Sequence, residues 1–213
     1  MNSRQKVLTK QQAAYRKIRS GIMSGALPPS TRLVIDKIAA ELEVSAIPVR
    51  EALSQLEKEG LVEIRPHAGA IVTDIPESAV EEIFALLEVL ETVSCRLGIK
   101  KLSHSALNTL TGLAIQMEAT DDEEKWLTLN RSFHQSLPRL AGLPRIEEQM
   151  IRVGENWERL RRLRFADRQG EDLDRANQQH RAFLKALEEK DVETAEKLTQ
   201  QHNREALGLY ISE

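Results

Sequence analysis

The sequence predicts a mainly α-helical protein in two parts: three short helices closed by a β-hairpin, then a six-helix antiparallel all-α bundle. Three observations predict it. Apolar residues recur at i, i+3 or i+4 and i+7 along most of the 213 residues, the spacing of one helix face. Turn formers crowd the first third, as Gly25, Pro28, Pro29, Gly60, Pro66 and Gly69, and become sparse after Pro76. Charge divides at the same place. Residues 1–75 hold 11 Lys and Arg against 8 Asp and Glu, and the remainder holds 19 against 25. The net charge of −3 therefore averages a basic and an acidic segment, and the expected domains are 1–75 and 76–213.

Composition removes several classes. Charges interrupt every apolar stretch before the ~18 residues that a membrane span needs, so no membrane partner is expected. The first twenty residues are polar and lack the apolar centre of a secretory leader. The single cysteine, Cys95, cannot form an internal disulfide and reads as a buried thiol. A reducing, cytoplasmic setting fits.

In the first segment the helical pattern covers 11–24, 35–42 and 46–59. The alternating run Val62-Glu63-Ile64-Arg65, the turn Pro66-His67-Ala68-Gly69 and the return Ala70-Ile71-Val72-Thr73 read as a hairpin. Three helices and a hairpin are the elements of a winged helix-turn-helix. Ser45 suits the N-cap of the third helix, and Pro48 lies in its first turn, where no backbone donor is needed. Val49, Leu53 and Leu56 share the inward face with Ala52 at its flank. The opposite face carries Ala46 or Ile47, Arg50 and Ser54, short and polar enough to enter a DNA major groove. Arg50 is the candidate base reader, because a guanidinium makes a bidentate contact to guanine. Ser45 and the helix N-terminus suit a phosphate oxygen. At the wing, His67 and Gly69, with Arg65 behind them, are placed to approach the minor groove or the backbone. A tight hairpin tip explains Gly69 equally well.

Residues 11–75 resemble the winged helix-turn-helix of GntR-type bacterial transcription regulators. The matching text is Ile18, Ile22, Gly25, Pro29, Leu33, Ile38-Ala39, Leu42, Val44-Ser45, Pro48-Val49-Arg50-Glu51-Ala52-Leu53, Leu56 and Glu59-Gly60-Leu61-Val62. Three positions depart from the family pattern. Ser30 and Glu43 stand where Gly is usual, and Ala46 stands where an Arg commonly contacts DNA.

The second segment reads as helices over 76–101, 103–117, 122–140, 145–165, 172–189 and 192–209. Ser103 caps the second of these, and Ala141-Gly142-Leu143-Pro144 stops the third. Short connections make an antiparallel bundle. His134, His180 and His202 each fall on the apolar stripe of a different helix. Three inward imidazoles each need a partner, and one metal ion satisfies all of them. A three-His site also leaves a position open for a small molecule.

This segment is similar to the FCD effector domain of the FadR-like branch of the same family, and its helix count resembles the VanR subgroup. The text that carries the resemblance is Asn130-Arg131-Ser132-Phe133-His134, Gln179-His180-Arg181-Ala182-Phe183 and Gln201-His202. It implies a divalent transition metal held by Asn130, His134, His180 and His202, zinc first, then nickel or manganese. The neutral Asn130 stands where the family carries Asp or sometimes Asn. Leu87 occupies a position at which the family often places an effector-contacting Arg, which leaves Arg131 or Arg152 to clamp a carboxylate. The resemblance implies a homodimer on a palindromic double-stranded DNA operator, most often as a repressor, released by a small carboxylate effector. Two other readings are a metal sensor without an organic ligand and a three-His metallohydrolase. The hydrolase is disfavoured because no Glu or Asp lies on the three histidine stripes to act as a base.

Overall fold

The computed structural model describes residues 8–65, 69–165 and 173–211. The chain divides into two compact units, residues 1–76 and 77–213.

In the first unit, α1 (Lys10–Met23) starts from a capping box, in which the Thr9 hydroxyl accepts from the Gln12 amide and the Gln12 side chain accepts from the Thr9 amide. Ala14, Ile18 and Ile22, spaced by four, form its buried stripe. α2 (Ile35–Glu41) and α3 (Ala46–Lys58) follow, and α3 buries Val49, Ala52, Leu53 and Leu56. These residues join Leu61, Val62, Ala70 and Val72 in one core. The wing is larger than the sequence predicts. Besides β2 (Val62–Arg65) and β3 (Gly69–Val72), a two-residue β1 (Arg32–Leu33) pairs with β3, giving the antiparallel order β1-β3-β2. Two residues carry no periodicity, so β1 has no sequence signal. Gly69 belongs to β3, opposite Arg65, and not to the turn.

The second unit contains α4 (Ala79–Gly98), continued by a 3₁₀ turn (Ile99–Lys101), then α5 (His104–Glu118), α6 (Glu123–Leu140), α7 (Pro144–Arg164), α8 (Leu173–Glu188) and α9 (Val192–Gly208). Ser103, Asp122 and Asp191 cap α5, α6 and α9 through side-chain acceptors. α4 begins three residues later than the sequence predicts. α4 packs on α9, α7 and α6, and α5 packs on α6 and α8. Gly98 allows one of these approaches, since a Cβ there would lie 2.8 Å from the Ala141 Cβ. Trp126, Phe133, Leu110, Met117 and Leu187 fill the core. The buried Trp126 indole donates to the Asn177 side-chain oxygen at 3.0 Å, which removes the cost of an unpaired N–H.

Candidate functional site

The helix-turn-helix surface is built by α2, the turn through Glu43 and α3. Because Val49, Leu53 and Leu56 fix the inward face, Ile47 and Arg50 point to solvent; Ile47 is 67% exposed. Ala46 and Ser54 are half-buried at the edge of the same face. Ser45 takes the N-cap backbone conformation, but its hydroxyl makes no capping hydrogen bond. The wing residues are placed differently. Arg65 lies against Glu63 on its own strand, donating through Nε at 3.2 Å and Nη2 at 3.1 Å. Gly69 has φ +85, and a Cβ there would meet the Leu33 carbonyl oxygen at 2.9 Å. This close approach of β1 accounts for the glycine by itself. His67 lies outside the described residues.

Inside the bundle, α6, α8 and α9 bring His134, His180 and His202 together. Their ring centroids are 5.0–5.3 Å apart, and one ligand atom from each lies within 4.8 Å of the others. Outer partners orient two of the rings. Glu91 of α4 faces His134 Nδ1 at 3.0 Å, and its other oxygen accepts from Asn203 Nδ2 at 2.7 Å. Burial pushes the Glu91 carboxyl up, but His134 beside it and the hydrogen bonds from His134 and Asn203 hold it below the ordinary carboxylate range. An ionised carboxylate only accepts, so His134 donates its Nδ1 hydrogen to Glu91, which leaves Nε2 as the ring nitrogen free to face the other two histidines.

The same logic orients His202. The Gln179 amide nitrogen donates to Glu205, which leaves Gln179 Oε1 to accept from His202 Nδ1 at 2.7 Å. Nε2 of His202 is then also a lone pair. Burial, then the neighbouring His134, pushes the His202 imidazole down to about 4, and burial with the other two rings lowers His180 well below its usual range. Neutral imidazoles are the form that ligates metal.

These residues fit a divalent transition metal. His134 Nε2 and His180 Nε2 are 3.4 Å apart, close to the ~3.4 Å that two nitrogens subtend on a tetrahedral zinc with ordinary bond lengths. Asn130 Oδ1 and His180 Nδ1 are buried without a hydrogen-bond partner among the described residues. Asn130 sits one turn before His134 and lines the same cleft as His134 and His202, and a buried oxygen without a partner suits a site that holds a cation.

Several hollows adjoin the histidines. A cleft of about 660 Å³, counting its open mouth, is lined by Asn130, Arg131, His134 and His202 together with Leu87 and Trp157. A second hollow of about 420 Å³ lies against His180, Cys95 and Phe183. Arg131 reaches the first cleft but stands 3.6 Å from Glu158. Arg152 lines neither hollow and pairs with Glu148 on the surface at 2.9 Å.

Sequence reasoning missed Glu91, Gln179, Asn203 and Glu205. An acid does stand beside the cluster, from α4, a helix without a histidine. Its signal was present, since Glu91 shares the inward stripe of Phe84, Leu87 and Cys95. Both Glu91 oxygens are occupied by His134 and Asn203, so it orients a ligand and offers no free base.

An exposed, polar helix face on a winged unit, joined in one chain to a helical bundle with a cleft, is the make-up of a transcription regulator. Comparison with known proteins agrees. Residues 10–72 match the model of the bacterial regulatory proteins of the gntR family, and residues 82–205 match that of the FCD domain. The chain belongs to the GntR family, in the branch that carries an FCD domain, and is a regulator, not an enzyme. An uncharacterized HTH-type transcriptional regulator in an unstable DNA locus of Streptomyces ambofaciens is 29% identical over 92% of this chain and 83% of its own length. The HTH-type transcriptional repressor RspR of Escherichia coli is 26% identical over 91% and 86%. Among solved structures, E. coli McbR/YncC superposes with a TM-score of 0.76 at 21% identity, covering 96% of this chain and 98% of that one.

Proposed function

We propose that this regulator binds a palindromic operator as a homodimer, represses transcription, and is released by a small carboxylate bound beside a divalent metal in the bundle. The observation that carries the reading is the histidine cluster. Two outer hydrogen-bond systems orient the His134 and His202 rings, one ligand atom of each of the three histidines lies within 4.8 Å of the others, and Asn130, whose oxygen has no hydrogen-bond partner among the described residues, lines the cleft beside His134 and His202. His134, His180 and His202, with Asn130, would hold the metal, and zinc suits such a nitrogen-rich set. When bound, the ion supplies a Lewis-acidic centre for a ligand oxygen. Arg131 is the one Lys or Arg that lines the same cleft among the described residues.

On the DNA side, Arg50 and Ile47 reach base edges from the major groove, Ser54 and Ala46 flank them, and Ser45 faces a phosphate. Arg65 and Gly69 form the wing side of the interface, to which the sequence adds His67 as a candidate. A dimer presents two such faces to two half-sites. The effector acts by preferring a bundle arrangement in which the two faces no longer match the half-site spacing. The name of RspR supports repression, and a DNA-bound regulator works in the cytoplasm.

Selection from random duplexes with the full chain tests the DNA half. Inverted repeats should be enriched, and recovery of unrelated single sites would refute the palindrome. Elemental analysis tests the other half. About one equivalent of a transition metal per chain is expected, and less than about a tenth, even after metal is supplied, defeats the metal reading.

A further inference from the structure

The cleft beside the histidines is chemically lopsided, which restricts the ligand further than "a carboxylate". Its polar lining includes His134, His202 and Asn130. The large apolar lining comes from three helices: Phe84 and Leu87 of α4, Leu127 of α6, and Met150 and Trp157 of α7. Trp157 and Phe84 meet edge to face at 4.9 Å, and Trp157 meets Tyr210 in the same way at 4.6 Å. This aromatic packing holds the wall in shape. Among the described residues lining the cleft, Arg131 is the sole Lys or Arg. Its guanidinium faces Glu158, which also lies 3.8 Å from both Arg161 and Arg162. Glu91, the second acid lining the cleft beside Glu158, is committed to His134 and Asn203.

Among the described residues the cleft therefore offers one Arg and a large apolar surface, and no second Lys or Arg for a second negative charge. We infer that the effector is a monocarboxylate with an aromatic or branched apolar body. Its carboxylate lies at the histidine end and its body against Phe84, Leu87, Leu127, Met150 and Trp157. A dicarboxylate would bury its second charge against Leu87 and Trp157 without a partner, so the site selects against it. Leu87 is the residue that sets this preference. It lies one turn before Glu91 on the same face of α4, where an Arg would hand a cation to the far end of the ligand.

The inference rests on the carboxylate reading above, and one titration series separates the two. The full chain, loaded with Zn²⁺, is titrated calorimetrically with 3-phenylpropionate, 4-methylpentanoate, succinate and glutarate. The two apolar acids should bind at least tenfold more tightly than the two diacids. In Leu87→Arg, with helicity by circular dichroism unchanged, diacid affinity should rise at least tenfold. Diacids binding the wild-type chain as tightly as the apolar acids would overturn this inference and leave the carboxylate reading standing. Binding of none of the four would overturn both. A folded Leu87→Arg chain that binds diacids no better would overturn the placement of the ligand body against Leu87.

Discussion

At the residue scale, Glu91 has the largest consequence for its size. It is a buried acid whose two oxygens hold His134 and Asn203, so it fixes which His134 nitrogen faces the cluster. Glu91→Gln keeps the shape but allows the amide to donate to Nδ1, which removes the preference for the Nδ1–H tautomer. Removing such an outer partner typically costs about 10–100-fold in metal affinity. We expect a loss of that size by competition with a chromophoric chelator, with helicity unchanged. The histidine tautomer, read from ¹⁵N chemical shifts of the metal-free protein, should shift at His134 and stay fixed at His202, which Gln179 orients separately. Unchanged affinity and tautomer would remove Glu91 from the site. Arg50 is the matching residue on the DNA face. It is exposed and lies away from the core stripe, so Arg50→Ala should leave melting unchanged. It should weaken specific binding by roughly 1–3 kcal/mol at fixed salt. Fluorescence anisotropy on the selected operator reads this directly, and retained affinity would place base reading elsewhere on α3.

At the scale of elements, legibility followed distance along the chain. The inward faces of α3, α6, α8 and α9 could be read because helical spacing is local, and the three histidines lie on those faces. Glu91 was visible as an acid in an apolar stripe, but its pairing with His134 depends on how α4 crosses α6, which no local pattern encodes. β1 was invisible for the related reason that it exists only through pairing with β3. Two departures from the family pattern gain a physical meaning here. Ser30 has φ +66 and Glu43 has φ +53, the left-handed region that disfavours residues with a Cβ. The family's glycine at these places is a backbone requirement, and this chain holds the same turns under strain. Ser30→Gly and Glu43→Gly should each stabilise the first unit by about 1 kcal/mol, the left-handed penalty less the extra entropy of glycine. Gly69→Ala should act in the opposite direction, since its methyl group would press on the Leu33 carbonyl oxygen. Urea denaturation of residues 1–76 measures all three, and a destabilising Glu43→Gly would show that the turn carries no strain.

At the scale of the whole molecule, the division of charge and the division of structure coincide. The basic segment folds around its own core of Ala14, Ile18, Leu53 and Val72, and the acidic segment folds around Trp126, Phe133 and Leu187. Every residue lining the ligand cleft falls between Phe84 and Ala206, and every histidine of the cluster lies in the second unit. Residues 77–213 expressed alone should therefore bind metal and carboxylate as tightly as the full chain does without DNA. Metal should raise the melting temperature of this fragment and leave that of residues 1–76 where it was, because a ligand stabilises only the unit it binds. In the full chain on its operator the two sites must influence each other equally. If the carboxylate weakens operator binding by a factor of ten, the operator must weaken carboxylate binding by ten as well, a coupling of about 1.4 kcal/mol. Calorimetric titration of the acid into free and operator-bound chain measures this factor against the one from anisotropy. Equal affinities in the two titrations, with DNA release still observed, would mean that the acid frees the DNA without using this cleft.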